Sequence, residues 1–168
     1  MTEESRAEVR AGLAARYLTR LWRYALFLSK ESDIAEDLVQ ATCLRAIERA
    51  DQFTPGTRLD HWLFAILRSI WLNEVRARRI RQGEASIDSE KGLILDGAKA
   101  LETNILAAEV LTAIGQLPEA QMETVLLVCG EGYSYAEAAN LLRIPIGTVM
   151  SRLATARTKL ARLRHEAK

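Results

Sequence analysis

The sequence predicts an all-α protein of two small helical domains joined by a flexible linker. Apolar residues recur at intervals of three and four along almost every segment, which is the spacing of one buried helix face. No stretch alternates convincingly at a period of two, so no β-sheet is expected. The periodicity weakens between residues 82 and 103, a segment that contains three glycines. Such a segment is typical of a domain boundary and separates domains of residues 1–81 and 104–168.

Three helices are expected in the N-terminal domain. Residues 17–28 carry tyrosines and leucines at intervals of four, three and four, which mark one helix face. A second helix follows, with Ser32 or Asp33 as its N-cap. The Pro-Gly pair at 55–56 must break regular structure and form a turn or loop. A long helix then covers residues 59–81.

Four helices are expected in the C-terminal domain. Ser134 and Glu137 have the spacing of a capping box, in which both side chains satisfy backbone donors at a helix start. Pro145 ends that helix because proline disfavours helical geometry in the residue before it. The approximate bounds of the four helices are 104–116, 119–129, 135–142 and 147–168.

The last helix has one apolar face and one face of small polar groups. The apolar residues follow each other at spacings of four, three, four and three: Val149, Leu153, Ala156, Leu160 and Leu163. Burial of that face turns Ser151, Thr155 and Thr158 outward and places Arg152 on the flank. A short helix, a tight turn and such a helix form the helix-turn-helix pattern for the major groove of DNA. A plain helical hairpin with a solvated basic face is the alternative at this point.

The net charge of +1 conceals a strong asymmetry along the chain. Residues 141–168 hold seven lysines and arginines against one acid, and residues 76–81 hold four arginines. Residues 84–102, by contrast, hold five acids and two lysines. Two basic patches around an acidic connector favour a nucleic-acid partner.

Several other classes of function are disfavoured by the composition. No apolar run is long enough to span a membrane, and the N-terminus lacks the apolar core of a signal peptide, so we expect a cytoplasmic location without membrane insertion. Cys43 and Cys129 lie far apart, and the chain has only two histidines, which predicts neither a metal site nor a disulfide scaffold. No phosphate-binding loop or nucleophile–base pattern is present, so we expect no catalytic residues and no cofactor.

Two long stretches resemble a known family. Residues 33–79, DIAEDLVQATCLRAIERADQFTPGTRLDHWLFAILRSIWLNEVRARR, resemble region two of bacterial sigma factors, and residues 132–160, GYSYAEAANLLRIPIGTVMSRLATARTKL, resemble region four. Their order and spacing are similar to the small extracytoplasmic-function class. The short stretches FTPGT and HWLFAILR are also similar to the sequences of the general-stress sigma factors of alphaproteobacteria. The resemblance implies a factor that binds core RNA polymerase, recognises the minus-ten and minus-thirty-five promoter elements and helps to melt DNA.

The resemblance also implies a polymerase-binding surface on the second helix. In the family this helix docks on a coiled-coil clamp of the polymerase, and region four contacts the flap. Here the corresponding side chains fall opposite the apolar residues of the helix and would meet a basic partner: Glu36, Asp37 and Gln40. A solvated acidic helix face is the alternative. An anti-sigma factor, which would use the same surfaces, is a further partner expected from the family.

In region two, the resemblance implies a pocket that holds a flipped base of the minus-ten element. Flipping costs a few kcal/mol, which stacking and edge hydrogen bonds must recover. The implied DNA-binding residues are Phe53, Thr57, Arg58, Ser69, Asn73, Arg76 and Arg79. Many relatives have asparagine where Ser69 stands, which leaves the preferred base open. Trp62 is interpreted as packing more readily than as a stacking platform. The residues interpreted as phosphate contacts or as a solvated helix end are Arg68, Arg76, Arg78 and Arg79.

In region four, the last helix corresponds to the reader of the minus-thirty-five element. The implied DNA-binding residues are Thr148, Ser151, Arg152, Thr155 and Arg157. Arg152 is the leading specificity residue because a bidentate contact to guanine discriminates by about 1–3 kcal/mol. Its alternative is a surface arginine paired with Glu137 or another acid. The family commonly has lysine or arginine at the position of Met150, so this sequence predicts weaker non-specific DNA affinity.

Two other functions remain open from the sequence. An autonomous repressor or activator would use the helix-turn-helix alone, but such proteins usually need dimer symmetry, and no dimerisation heptad is evident. A sigma-like interaction module would occupy polymerase or an inhibitor without using a promoter. Transcription with core polymerase distinguishes all three.

Overall fold

The computed structural model describes residues 2–82 and 105–166, and these residues contain helices and no strand. The chain divides into two compact units, Met1–Glu90 and Lys91–Lys168. The all-α, two-domain class predicted from the sequence is therefore confirmed. The break between the units falls within the predicted linker, residues 82–103, of which only residue 82 lies among the described residues.

The N-terminal unit is built from four helices around an aromatic and leucine core. Their bounds are α1 Thr2–Gly12, α2 Leu18–Ser29, α3 Ser32–Glu48 and α4 Leu59–Gln82. A π-helical turn, Leu13–Tyr17, connects α1 to α2, and a 3-10 turn, Ala50–Gln52, follows α3. The rings of Tyr24 and Phe64 lie 5.0 Å apart between their centroids and join α2 to α4 in the buried core.

Helix α1 was not predicted from the sequence. Its charged composition conceals the inward face, which consists of Ser5 and Val9, both buried. The hydroxyl of Ser5 donates a hydrogen bond of 3.1 Å to the carbonyl oxygen of Phe53. A side chain at Gly12 would overlap Leu59, so glycine permits the close packing of α1 on the start of α4. Helix α1 therefore supports the loop that precedes α4.

The predicted N-cap of α3 was wrong. The helix begins at Ser32, so the N-cap is Glu31, which has extended backbone angles and no side-chain capping bond. The turn before it is organised by Ser29, whose hydroxyl donates to the Glu31 carbonyl (2.9 Å) and accepts from the Glu31 N–H (3.3 Å). Because this turn already directs the chain into the helix, Ser32 enters the first turn. The fully buried residues of α3 are Ala35, Leu38, Thr42 and Ala46.

The C-terminal unit contains the four predicted helices with small shifts at their ends. Their bounds are α5 Ile105–Gly115, α6 Glu119–Val125, α7 Tyr135–Leu142 and α8 Ile146–Glu166. A π-helical turn, Leu126–Gly130, continues α6. Val149, Leu153 and Ala156 are buried, as predicted for the inner face of α8, whereas Leu160 and Leu163 are half-buried.

Local backbone chemistry defines the turn between α7 and α8. The capping box is confirmed: Ser134 Oγ accepts from the Glu137 N–H (3.2 Å), and Glu137 Oε2 accepts from the Ser134 N–H (2.7 Å). Helix α7 ends at Leu142, and Arg143 adopts the left-handed conformation with φ of 55°. The Pro145 carbonyl then accepts from the Thr148 N–H, which starts α8. The result is a short helix, a tight turn and a long helix, as the pattern predicted.

Candidate nucleic-acid and polymerase interfaces

The first surface, the acidic face of α3, consists of Glu36, Asp37 and Gln40. All three side chains are exposed, and they lie opposite the buried residues of the helix. None of them forms an ion pair or a side-chain hydrogen bond with another residue in the described part of the unit. The same face continues with exposed Leu44 and Ile47, which sequence reasoning missed although their spacing from Gln40 is helical. The surface is therefore acidic at one end and apolar at the other.

The second surface begins in the loop between α3 and α4. Its turn is closed by Thr57, whose N–H and hydroxyl both donate to the Thr54 carbonyl, at 3.2 and 2.7 Å. Gly56 has φ of 79°, a region that glycine tolerates best. Phe53 is only 3% exposed, and its ring packs against Trp62 with 5.4 Å between centroids. The aromatic pair therefore lies under the loop and supports it, while Thr57 and Arg58 are exposed.

Asp60 organises this loop, and sequence reasoning missed it. Its side chain is only 8% exposed, and its carboxylate accepts two hydrogen bonds from Arg58, Nε to Oδ1 at 3.0 Å and Nη2 to Oδ2 at 2.9 Å. Arg20 of α2 donates to Oδ2 at 3.2 Å, and the His61 N–H donates to Oδ1 at 3.0 Å. Asp60 thus links the loop, α2 and the first turn of α4. The signal in the sequence was a carboxylate two residues after an arginine at a helix start.

The environment of Asp60 favours its ionised form. Burial raises the pKa of this carboxyl, but the hydrogen bonds from Arg58 and Arg20, the charge of Arg58 and the His61 N–H outweigh burial and lower the pKa from 3.8 to about 2. Arg20 is itself held over the rings of Tyr17 and Phe64, at 5.3 and 5.7 Å from the centroids. The Arg58 fork is consequently fixed on its Asp60 side, and 53% of its side-chain surface is exposed.

The exposed face of α4 continues the second surface. Ser69, Asn73, Arg76 and Arg79 are all exposed and follow each other at intervals of four, three and three. They make no side-chain hydrogen bond or ion pair with other residues that the structure describes. In contrast, Arg78 and Arg81 both contact Glu74 Oε1, at 2.9 and 3.4 Å. Two of the four arginines in residues 76–81 are thus paired with an acid. The other two, Arg76 and Arg79, remain available to a negatively charged partner.

Trp71 belongs to the core and not to this surface. It is 8% exposed, and the Arg78 guanidinium lies 6.0 Å from its ring centroid. Trp62 is half-buried against Phe53. Both tryptophans therefore pack within the unit, as the sequence interpretation of Trp62 favoured.

The third surface is the outward face of α8. Ser151, Thr155 and Arg157 are exposed, while Thr148 and Arg152 are half-buried on its edges. Ser151 Oγ donates to the Thr148 carbonyl (3.1 Å), and Thr155 Oγ1 donates to the Ser151 carbonyl (3.0 Å). Their hydroxyl protons are therefore engaged, while their oxygens keep acceptor capacity on an exposed helix face. The hydroxyls of this face can accept hydrogen bonds from base amino groups.

Arg152 forms no ion pair among residues 105–166, so the alternative pairing with Glu137 is not present. The Glu137 carboxylate instead completes the capping box of α7. The half-buried Arg152 thus remains available to an outside acceptor. Two apolar side chains, Ile146 and Met150, are also exposed on this helix.

Two other properties of the described residues bear on the kind of site. No described helix is long and apolar enough to cross a membrane. Within the same residues, no cluster of three or more His, Cys, Asp or Glu side chains could hold a metal ion.

Family models match both units. The Sigma-70 region 2 model matches residues 13–80, and the Sigma-70, region 4 model matches residues 107–160. Two helical units that match these regions in this order define a bacterial sigma factor. The matched spans contain all three surfaces described above.

Individual relatives identify the subclass of sigma factors to which the chain belongs. The chain is 37% identical over 140 residues to the ECF RNA polymerase sigma factor EcfG of Rhodopseudomonas palustris, covering 83% of this chain and 76% of the relative. It is 34% identical over 140 residues to the ECF sigma factor SigC of Mycobacterium tuberculosis, covering 83% and 75%. The solved structure of the sigma factor RpoE with the anti-sigma factor NepR from Bartonella quintana matches with a TM-score of 0.71 and 32% identity, covering 88% and 91%. The chain belongs to the ECF RNA polymerase sigma factors, which act in promoter recognition and transcription initiation.

Proposed function

We propose that each of the three surfaces performs a different part of the function of a sigma factor. The acidic face of α3 binds the clamp coiled coil of core RNA polymerase. The loop and α4 hold the minus-ten element, α8 reads the minus-thirty-five element, and the C-terminal unit contacts the flap. The observation that carries this proposal is the distribution of charge pairing: Arg78 and Arg81 are paired with Glu74, whereas Arg76, Arg79 and the acids of α3 are not. Unpaired charges on one face are available to a partner of opposite charge.

The minus-ten surface combines a fixed loop with short polar groups. Asp60 holds Arg58 by two hydrogen bonds, so that Arg58 can meet a phosphate or a base edge without first being ordered. Ser69 and Asn73 lie one turn apart on α4 and supply donors and acceptors to an unstacked base. Arg76 and Arg79 contact phosphates and position the strand. Phe53 acts from below, because its buried ring supports the loop through Trp62.

The minus-thirty-five surface gives the first prediction. Arg152→Ala is expected to reduce discrimination at one guanine by about 1–3 kcal/mol, or about five- to 150-fold, because a bidentate contact to a single base is lost. The measurement is the affinity of the reconstituted holoenzyme for the selected promoter and for its single-base variants. Arg157→Ala serves as the control and should weaken all sequences alike, with a shallower salt dependence. Equal losses on all sequences for Arg152→Ala would contradict the assignment.

Regulation by an anti-sigma factor is part of the proposal. The RpoE structure is a complex with an anti-sigma factor. For this chain, an anti-sigma factor would bind the polymerase-facing surfaces, the acidic face of α3 among them. The protein would act in the cytoplasm, without covalent chemistry, metal or cofactor of its own.

Run-off transcription with core polymerase and a promoter library tests the proposal. Promoter-specific transcripts that require this chain support it. Tight duplex binding without polymerase would instead indicate an autonomous regulator. Polymerase binding without any transcript would indicate an interaction module.

A further inference from the structure

Two apolar side chains lie side by side at the start of α8. Ile146 and Met150 are 49% and 54% exposed, and their separation of four residues places them next to each other on the helix surface. The residues between them and the core, Val149 and Leu153, are buried, so the exposed pair is not part of the packing of the unit. An apolar pair is unexpected at the position where a DNA-reading helix meets the groove.

The charges around this pair favour DNA as its partner. Arg143 and Arg157 are exposed and Arg152 is half-exposed, and none of them has an acidic partner within residues 105–166. The sequence from residue 146 to residue 163 contains no acid. A polyanion is therefore attracted to this face, and its backbone phosphates would meet the arginines on either side of the apolar pair.

The neighbours of Met150 allow a close approach to base edges. Gly147, Ser151 and Ala154 lie on the same exposed stripe and are all small and uncharged. Met150 is the long side chain of that stripe, so it extends farthest from the helix axis. The apolar group that the major groove presents on its base edges is the C5-methyl of thymine. A flexible thioether can follow the shape of such a methyl group.

We propose that Met150, supported by Ile146, is a specificity-determining residue that contacts the C5-methyl of a thymine in the minus-thirty-five element. The inference rests on the proposed role of α8 as reader of that element. A lysine at this position would bind phosphate and add affinity without sequence information. Compared with a lysine at this position, Met150 therefore gives a lower general affinity for DNA and a stronger preference for thymine.

The test removes one methyl group at a time. A promoter is first selected from a randomised library with holoenzyme containing the full chain. Each thymine of its minus-thirty-five element is then replaced by deoxyuridine, which keeps base pairing and lacks only the methyl. Loss of one buried methyl contact is expected to weaken binding about three- to fivefold at one position. Met150→Ala should bind the thymine promoter more weakly and show no further loss with deoxyuridine there.

Two variants sharpen the result. Thr158→Ala alters an exposed residue farther along α8 and should keep the full sensitivity to deoxyuridine. Met150→Lys should bind all sequences more tightly and lose that sensitivity. Because Met150 is exposed, its variants are expected to keep the thermal unfolding midpoint of the parent.

Each outcome that contradicts the inference leads to a different conclusion. Indifference of the parent holoenzyme to every deoxyuridine, or equal sensitivity of Met150→Ala and parent, overturns the inference alone. The absence of any selected minus-thirty-five sequence overturns the proposed role of α8 as well. Dimerisation of the full chain that Met150→Ala abolishes, with methyl dependence unchanged, would assign the apolar pair to a second copy instead.

Discussion

Asp60→Asn is expected to lower the free energy of unfolding of the N-terminal unit by about 2–3 kcal/mol at neutral pH. The pKa of Asp60 falls from 3.8 to about 2 on folding, and each pKa unit corresponds to about 1.4 kcal/mol. Removing one partner of a fully buried ion pair costs about 3–5 kcal/mol. Arg58 and Arg20 retain side-chain exposures of 53% and 29%, so water can compensate them in part, and the lower range applies.

The pH dependence of stability gives the sign of the same effect. Because the folded pKa of Asp60 is lower than the unfolded pKa, its contribution is complete above about pH 4–5 and disappears as the pH falls through about 2. Urea unfolding of the full chain between pH 3 and pH 7, followed by circular dichroism, measures it. The difference between parent and Asp60→Asn should shrink on acidification. Asp51→Asn, at an exposed aspartate, is the matched control and should behave as the parent.

The same substitution links stability to promoter opening. Without the carboxylate, the Arg58 fork loses the two acceptors that fix it at the edge of the loop. Holoenzyme with Asp60→Asn is therefore expected to form fewer open complexes at a temperature where the chain remains folded. Asp60→Glu should restore part of the pairing. A variant with unchanged stability and unchanged opening would contradict the organising role of Asp60.

Local chemistry explains which elements could be predicted from the sequence. Helix α8 and the capping box of α7 depend on residues within a few positions of each other, and their pattern survives without tertiary context. Helix α1 depends on distant partners: Ser5 bonds the Phe53 carbonyl, and Gly12 meets Leu59. Its inward face contains too few apolar residues to give a recognisable helical periodicity in the sequence. The N-cap of α3 was missed because the turn before the helix is organised by hydrogen bonds between Ser29 and Glu31, a pairing that the capping pattern does not indicate.

For the surface residues, too, some properties could be predicted from the sequence and others could not. Exposure of Glu36, Ser69 and Ser151 follows from helix periodicity, and the structure places these residues on outward faces as expected. Pairing of charges does not follow from periodicity, because Glu74 could contact arginines on either side of it. The geometry assigns Glu74 to Arg78 and Arg81 and leaves their neighbours unpaired. The triple contact of Asp60 joins residues forty positions apart and has no local signal beyond its arginine neighbour.

The double substitution Glu36→Lys and Asp37→Lys is expected to weaken binding to core RNA polymerase at least hundredfold. The two acids lie on one exposed face of α3 without partners in the described part of the unit, so the change places two positive charges opposite a basic partner helix. Like-charge contacts at an interface cost several kcal/mol, and about 2.7 kcal/mol already corresponds to a hundredfold loss. Titration of labelled full chain with core polymerase measures the affinity.

A control on the same helix separates this effect from total charge. Glu48→Lys changes an exposed acid at the end of α3, about two turns beyond Gln40, and should reduce the affinity less than threefold. Both variants should unfold at the temperature of the parent, because none of the substituted side chains is buried. Salt should weaken the parent complex and improve that of the double variant, since screening acts on attraction and repulsion alike. If the two variants lost equal affinity, net charge would explain the binding, and the acidic face would not be the polymerase contact.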